Sequence, residues 1–147
     1  MYRIIVGLFI TILFCPIFAK PYLTVECEAP KGNRIDYEKG KMVASEDGMS
    51  GINPLFIFDD NQKDKVTVIW GHSKKLNIPA KAIEATIVVN DEEFKITAMA
   101  IDGEVVYMYS LFPKEGVVMF TQHRWFMGIP NSCTFWAKAT FNYTKNP

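Results

Sequence analysis

The stretch that decides the fold is FKITAMAIDGEVVYMYSLFPKEGVVMFTQHRW, residues 94–125. Its apolar residues recur at every second position, which is typical of β-strands because successive side chains point to opposite faces of a sheet. Two turn signals divide the stretch. Asp102-Gly103 favours a two-residue hairpin, and residues 113–116, which begin with Pro113, favour a type I turn. The stretch therefore predicts three consecutive antiparallel strands.

The two turns also predict a register for these strands. A two-residue turn at Asp102-Gly103 places Ala98 opposite Tyr107. The four-residue turn that follows places Tyr109 opposite Phe120, so the same set of side chains shares one face in all three strands.

A further turn at Asp91-Glu92 would add a fourth strand and place Val89 opposite Phe94. One face of the resulting sheet is almost wholly apolar, and we predict that it forms the core. The predicted core residues are Ala85, Ile87, Val89, Phe94, Ile96, Ala98, Ala100, Val105, Tyr107, Tyr109, Leu111, Val118 and Phe120.

The opposite face carries Met99, Met108, Met119 and His123, with Trp125 beyond them. A face in contact with solvent is usually mostly polar, so these methionines need an explanation. The more ordinary explanation is that the N-terminal strands cover this face as a second core layer. The functional explanation is a binding surface, because flexible methionines fit irregular partners.

The remainder of the chain has short β-branched and aromatic runs between Pro and Gly residues, and no sustained helical stripe. This pattern predicts an all-β fold of about eight strands, either an antiparallel β-sandwich or a small up-and-down β-barrel with a C-terminal meander. Residues 20–147 have the length of a single domain.

The N-terminus has the three-part pattern of a secretory signal peptide. Arg3 supplies a positive charge, residues 4–14 are apolar, and Ala19 is the small residue before the predicted cleavage site. The apolar run is shorter than the roughly 20 residues that cross a bilayer. We therefore predict a signal peptide over residues 1–19, a secreted or periplasmic mature protein, and no membrane attachment after cleavage.

The cysteines predict one disulfide bond. Cys15 leaves with the signal peptide, so that Cys27 and Cys133 remain in an oxidising compartment. Their bond would join the first strand to the last. Closing a loop of about 105 residues contributes roughly 4–5 kcal/mol in the chain-entropy model.

Charge and motifs exclude several classes of function. The predicted mature chain has one more acidic than basic residue and no basic block, which argues against a nucleic-acid partner. Neither the two histidines, His72 and His123, nor the cysteines have the spacing of a metal site, and no cofactor motif is present. Arg124 is either an anion contact at a pocket mouth or a rim residue whose stem covers apolar surface.

Two functional hypotheses follow from these observations. The first is an exported binding module that recognises a protein or an apolar ligand, of which an inhibitor of a secreted enzyme is one form. The second is a small secreted hydrolase that uses His72 or His123, although the chain has no Gly-x-Ser-x-Gly motif. The absence of a catalytic motif and the methionine-rich face favour the first.

We predict that the mature protein begins at or near Lys20, because the apolar run ends at Ala19. N-terminal sequencing of the exported protein should give Lys-Pro-Tyr. Recovery of the chain in a membrane fraction with Met1 intact would contradict the prediction.

Overall fold

The computed structural model describes residues 21–48, 52–71, 79–126 and 128–144. The predicted signal peptide, residues 1–19, and His72 lie outside these ranges. Within them, no helix is long and apolar enough to cross a membrane. The strands are β1 (Pro21–Cys27), β2 (Lys31–Glu38), β3 (Lys41–Gly48), β4 (Leu55–Asp59), β5 (Lys65–Trp70), β6 (Lys81–Asp91), β7 (Lys95–Asp102), β8 (Val105–Phe112), β9 (Val117–Phe126) and β10 (Ile129–Tyr143).

Eight of these strands close into an antiparallel barrel. The order around the barrel is β1-β4-β5-β6-β7-β8-β9-β10, and β10 pairs with β1 to complete the circle. The remaining two strands, β2 and β3, form a hairpin that continues the sheet from β10. The all-β prediction is confirmed, and of its two forms the chain adopts the barrel.

The longest strand, β10, serves both the barrel and the hairpin. One of its edges pairs with β9. Its other edge pairs with β2 over residues 131–136 and with β1 over residues 139–143. The backbones of β2 and β10 approach so closely that a Cβ atom on Gly32 would lie 1.9 Å from the carbonyl oxygen of Thr134. Glycine is therefore required where the hairpin joins the barrel.

The barrel interior is filled by apolar and aromatic side chains. The rings of Trp70 and Phe135 each lie 5.2 Å from that of Phe120, and the rings of Phe56 and Tyr109 lie 5.4 Å apart. Tyr109 lies opposite Phe120, as predicted. Eight strands enclose a space that side chains just fill, and these rings occupy it.

The first hairpin of the meander has a register two residues away from the predicted one. Its turn consists of Gly103 and Glu104 instead of Asp102-Gly103, so that Ala98 lies opposite Tyr109. Gly103 has a φ of 60°, as expected of glycine at the first central position of a type II′ turn. Because the shift is an even number of residues, every side chain keeps its predicted face.

The predicted turn at Asp91-Glu92 is wrong. Asp91 ends β6 and accepts a hydrogen bond at Oδ1 from the N–H of Phe94 at 3.2 Å, so the loop covers residues 92–94. The ladder between β6 and β7 also has a bulge between Ile87 and Val89. These two changes leave Val89 and Phe94 exposed, although both were predicted in the core.

The predicted disulfide between Cys27 and Cys133 is absent, and both cysteines are free and buried. The first and last strands do lie side by side, as the prediction required. However, Cys27 lies opposite Ala139, six residues along β10 from Cys133. At about 3.3 Å per residue this separates the two cysteines by about 20 Å, beyond the reach of a disulfide.

Both cysteines should therefore remain thiols in the folded protein. Burial raises the pKa of the Cys27 thiol to about 12 and also raises the pKa of the Cys133 thiol, which keeps both protonated and unreactive. Alkylation at pH 8 should be slow in native protein and complete at both positions in guanidinium. A melting temperature that falls when a reductant is added would contradict this structure.

Candidate functional site

The three methionines of the meander lie on the outer wall of the barrel. Met99, Met108 and Met119 retain 42%, 43% and 44% of their accessible surface. Met99 and Met108 lie directly opposite each other on β7 and β8, and Met119 follows on β9. Of the N-terminal strands, β1 and β4 form another part of the barrel and the β2–β3 hairpin continues the sheet beyond β10, so the methionines stay exposed. The expectation that the N-terminal strands cover this face as a second core layer is therefore wrong.

His123 and Trp125 continue the same face along β9. His123 is exposed and lies opposite Val106 on β8 and Ser132 on β10. Trp125 lies opposite Pro130 and is 60% exposed. Five of the predicted binding residues are therefore on one side of the barrel. The outer methionine face is defined here as Met99, Met108, Met119, His123 and Trp125.

The β2–β3 hairpin adds residues that the sequence did not single out. Beside the outer methionine face lies an open groove of about 260 Å³. Most of its wall is apolar or aromatic, and Met42 on the hairpin is 70% exposed. The residues that line the groove are Ile35, Tyr37, Met42, His123, Arg124, Pro130, Asn131 and Ser132.

The hairpin orients these side chains through the alternation of β2. Ile35 and Tyr37 alternate with Arg34 and Asp36. This alternation was the signal in the sequence that β2 has an apolar and a charged face. An apolar face normally points inward. In the structure the reverse holds, since Asp36 is buried and Ile35 is exposed.

Arg124 and Asn131 line the groove and belong to a polar cluster that extends to β2. The Nε of Arg124 donates to Oδ1 of Asn131 at 3.1 Å, and Nδ2 of Asn131 donates to Oδ1 of Asp36. Arg34 contributes a further hydrogen bond from Nε to Oδ2 of Asp36 at 2.9 Å. The cluster connects β2, β9 and β10, so it holds the hairpin in position. A role for Arg124 as an anion contact stays a prediction.

The polar side chains that line the groove include a histidine and a serine. His123 lies opposite Ser132, but none of the residues that line the groove is a carboxylate that could orient the imidazole. In the described residues no group of three His, Cys, Asp or Glu side chains could hold a metal ion. No protein-family model, curated protein or solved structure matches the chain. A proposal about function therefore rests on the side chains of this chain alone.

Exposure of the outer methionine face can be tested by introducing a charge. Met108→Asp should change the free energy of unfolding by less than about 1 kcal/mol, because the carboxylate remains hydrated. Ala98→Asp, on the buried side of the adjacent strand, should unfold the protein or lower its stability severely. Thermal unfolding of both variants measures the difference. Equal destabilisation by the two substitutions would mean that this face is covered.

Proposed function

We propose that this chain is an exported, non-enzymatic binding module that docks a protein partner on its outer methionine face. The observation that carries the proposal is the exposure of Met99, Met108 and Met119 on adjacent strands. Contiguous apolar side chains on the surface of a soluble domain mark interaction sites more often than isolated ones do. Methionine is well suited to such a site because its flexible, polarisable side chain adapts to irregular surfaces.

The shape of the barrel favours a protein partner over a small apolar ligand. Small molecules bind in concave sites that bury most of their surface. The interior of this barrel is occupied by its own rings, including the fully buried Phe56 and Tyr109. The methionines instead lie on an open sheet face, which fits the extended and largely flat contacts between proteins.

The groove beside the methionines supplies an anchor point for such a partner. Interfaces obtain most of their affinity from a few side chains that are inserted into well-packed pockets. A volume of about 260 Å³ accommodates one large side chain, and Tyr37 and Met42 provide apolar walls for it. An apolar residue of the partner would enter the groove while neighbouring residues cover the methionines. An inhibitor of a secreted enzyme is one form that such a module takes.

Export is part of this proposal and rests on the sequence of residues 1–19. A positive charge at Arg3, an apolar run and a small residue at Ala19 form the expected signal. The partner should accordingly be sought outside the cell or in the periplasm.

A secreted hydrolase remains the second candidate because of the pairing between His123 and Ser132. A histidine can activate a serine when the two are within hydrogen-bond reach and an acid orients the ring. The lining of the groove supplies no such acid, which ranks this candidate below the binding module. Turnover of a chromogenic ester that is lost in both His123→Ala and Ser132→Ala would reverse the ranking.

A photo-crosslinking experiment tests the binding module. Benzoylphenylalanine placed at Met108 should crosslink to a discrete exported protein of the host, whereas the same group at Phe94 should not. Phe94 is the matched control because it is exposed and apolar but lies in the β6–β7 turn, outside the outer methionine face.

A double substitution, Met108→Asp with Met119→Asp, should then weaken the binding of the identified partner by tenfold or more, which corresponds to about 1.4 kcal/mol. Phe94→Asp should leave the affinity unchanged. Crosslinking from Phe94 but not from Met108 would show that the partner binds elsewhere on the protein.

A further inference from the structure

The β3 strand is the free edge of the sheet. Every other strand of the described part of the chain has a hydrogen-bonded neighbour on both sides, whereas β3 pairs only with β2. Its residues are exposed except for Asp47, which is half-buried. An unpaired edge presents a row of free N–H and C=O groups that can accept another strand.

The turn that precedes β3 determines which backbone groups face outward. Lys39 and Gly40 both have positive φ, 48° and 79°, as in a type I′ two-residue turn. The residues that flank such a turn, Glu38 and Lys41, exchange both hydrogen bonds, and bonded and non-bonded pairs then alternate along the hairpin. The N–H and C=O groups of the next residue, Met42, and of every second residue after it therefore point to the open side.

In the described residues, the middle of this edge lacks several features that prevent pairing. Natural edge strands are protected by proline, by bulges, by charged side chains or by a segment that covers them. The register between β2 and β3 is unbroken, and residues 42–45 contain neither proline nor charge. The charges lie at the ends instead, with Lys41 at one end and Glu46 and Asp47 at the other.

We propose that β3 pairs antiparallel with β3 of a second copy of this chain, about a two-fold axis at Ala44. In this register Lys41 of each copy lies opposite Asp47 of the other, and Val43 lies opposite Ser45. Because both strands must present outward-facing groups to each other, only registers that differ by two residues are available. The neighbouring registers place Lys41 opposite Ser45 or Val43 opposite Asp47, so charge complementarity selects the one proposed.

The dimer should be reversible. Main-chain pairing over seven residues, 41–47, buries less surface than the 1,200–2,000 Å² that is usual for stable complexes, so association should depend on protein concentration. The interaction uses the edge of the sheet, whereas the partner proposed above covers the outer methionine face. The two surfaces share Met42, which lies on β3 and also lines the groove.

Cysteine pairing tests the register directly. Val43 and Ser45 of opposite copies would form a non-hydrogen-bonded pair with Cα atoms about 4.5 Å apart, within the range of a disulfide. A mixture of the Val43→Cys and Ser45→Cys proteins should form a disulfide-linked dimer under mild oxidation, and each variant alone should form much less. A mixture of Val43→Cys with Glu104→Cys, an exposed position in a distant turn, is the control.

Sedimentation of the exported chain measures the association itself. The unmodified protein should shift from monomer to dimer between micromolar and millimolar concentration. Ala44→Pro removes an outward N–H without removing a bond to β2 and should raise the dissociation constant at least tenfold. If Ala44→Pro does not fold, Lys41→Glu, which places a carboxylate opposite Asp47, should do the same.

The proposal is overturned if the unmodified protein stays monomeric from micromolar to millimolar concentration. The β3 edge would then be a site for pairing with a strand of another protein. The proposal is also overturned if the mixture of Val43→Cys and Ser45→Cys gives no more linked dimer than the Glu104→Cys control.

Discussion

The pairing of β10 is the constraint on which the other features of this molecule depend. Its 15 residues are long enough to share one edge between two strands, with β2 on residues 131–136 and β1 on residues 139–143. Pairing with β1 closes the barrel and removes the edges that eight strands would otherwise leave. Pairing with β2 places a hairpin beside the outer wall. The absence of a side chain at Gly32 allows the second of these contacts.

The hairpin keeps its orientation because charged side chains anchor its inner face. Asp36 is buried and accepts hydrogen bonds from Arg34 and Asn131, which in turn accepts one from Arg124. Loss of a partner from the buried Asp36 is destabilising, because the remaining charge loses its compensation. The cluster therefore fixes which side of β2 faces outward, and with it the position of Ile35 in the groove.

The sequence predicted the meander well because local signals control it. Alternation identified the strands and their faces, and Tyr109 pairs with Phe120 as expected. The predicted register of the hairpin at Gly103 was nevertheless wrong by two residues. Asp-Gly is compatible with more than one two-residue turn, and the alternation of side chains does not distinguish registers that differ by an even number of residues. Phe94 was misplaced because Asp91 caps a longer turn through its side chain.

Features that depend on distant pairing could not be derived in the same way. Cys27 and Cys133 occur in the first and last strands, and these strands are neighbours, but only the register between them shows that the thiols are about 20 Å apart. The orientation of β2 is a similar case. Its apolar residues were visible as an alternating set, yet the choice of the buried face depends on Asn131 and Arg124, which follow it by about ninety residues in the chain.

Closure of the barrel also determines where function can reside. Aromatic side chains fill the interior around Phe120 and leave no chamber for a ligand among them. The eight strands of the barrel are hydrogen-bonded in a closed circle, so the barrel itself has no free edge. Among the described residues, two surfaces with exposed apolar side chains are the outer wall of β7 to β9 and the hairpin that extends from β10. These two surfaces meet at His123, which belongs to the outer methionine face and also lines the groove with Tyr37 and Met42. A change that moved the hairpin would therefore alter the groove while leaving Met99 and Met108 in place, because those methionines depend only on the barrel ladders.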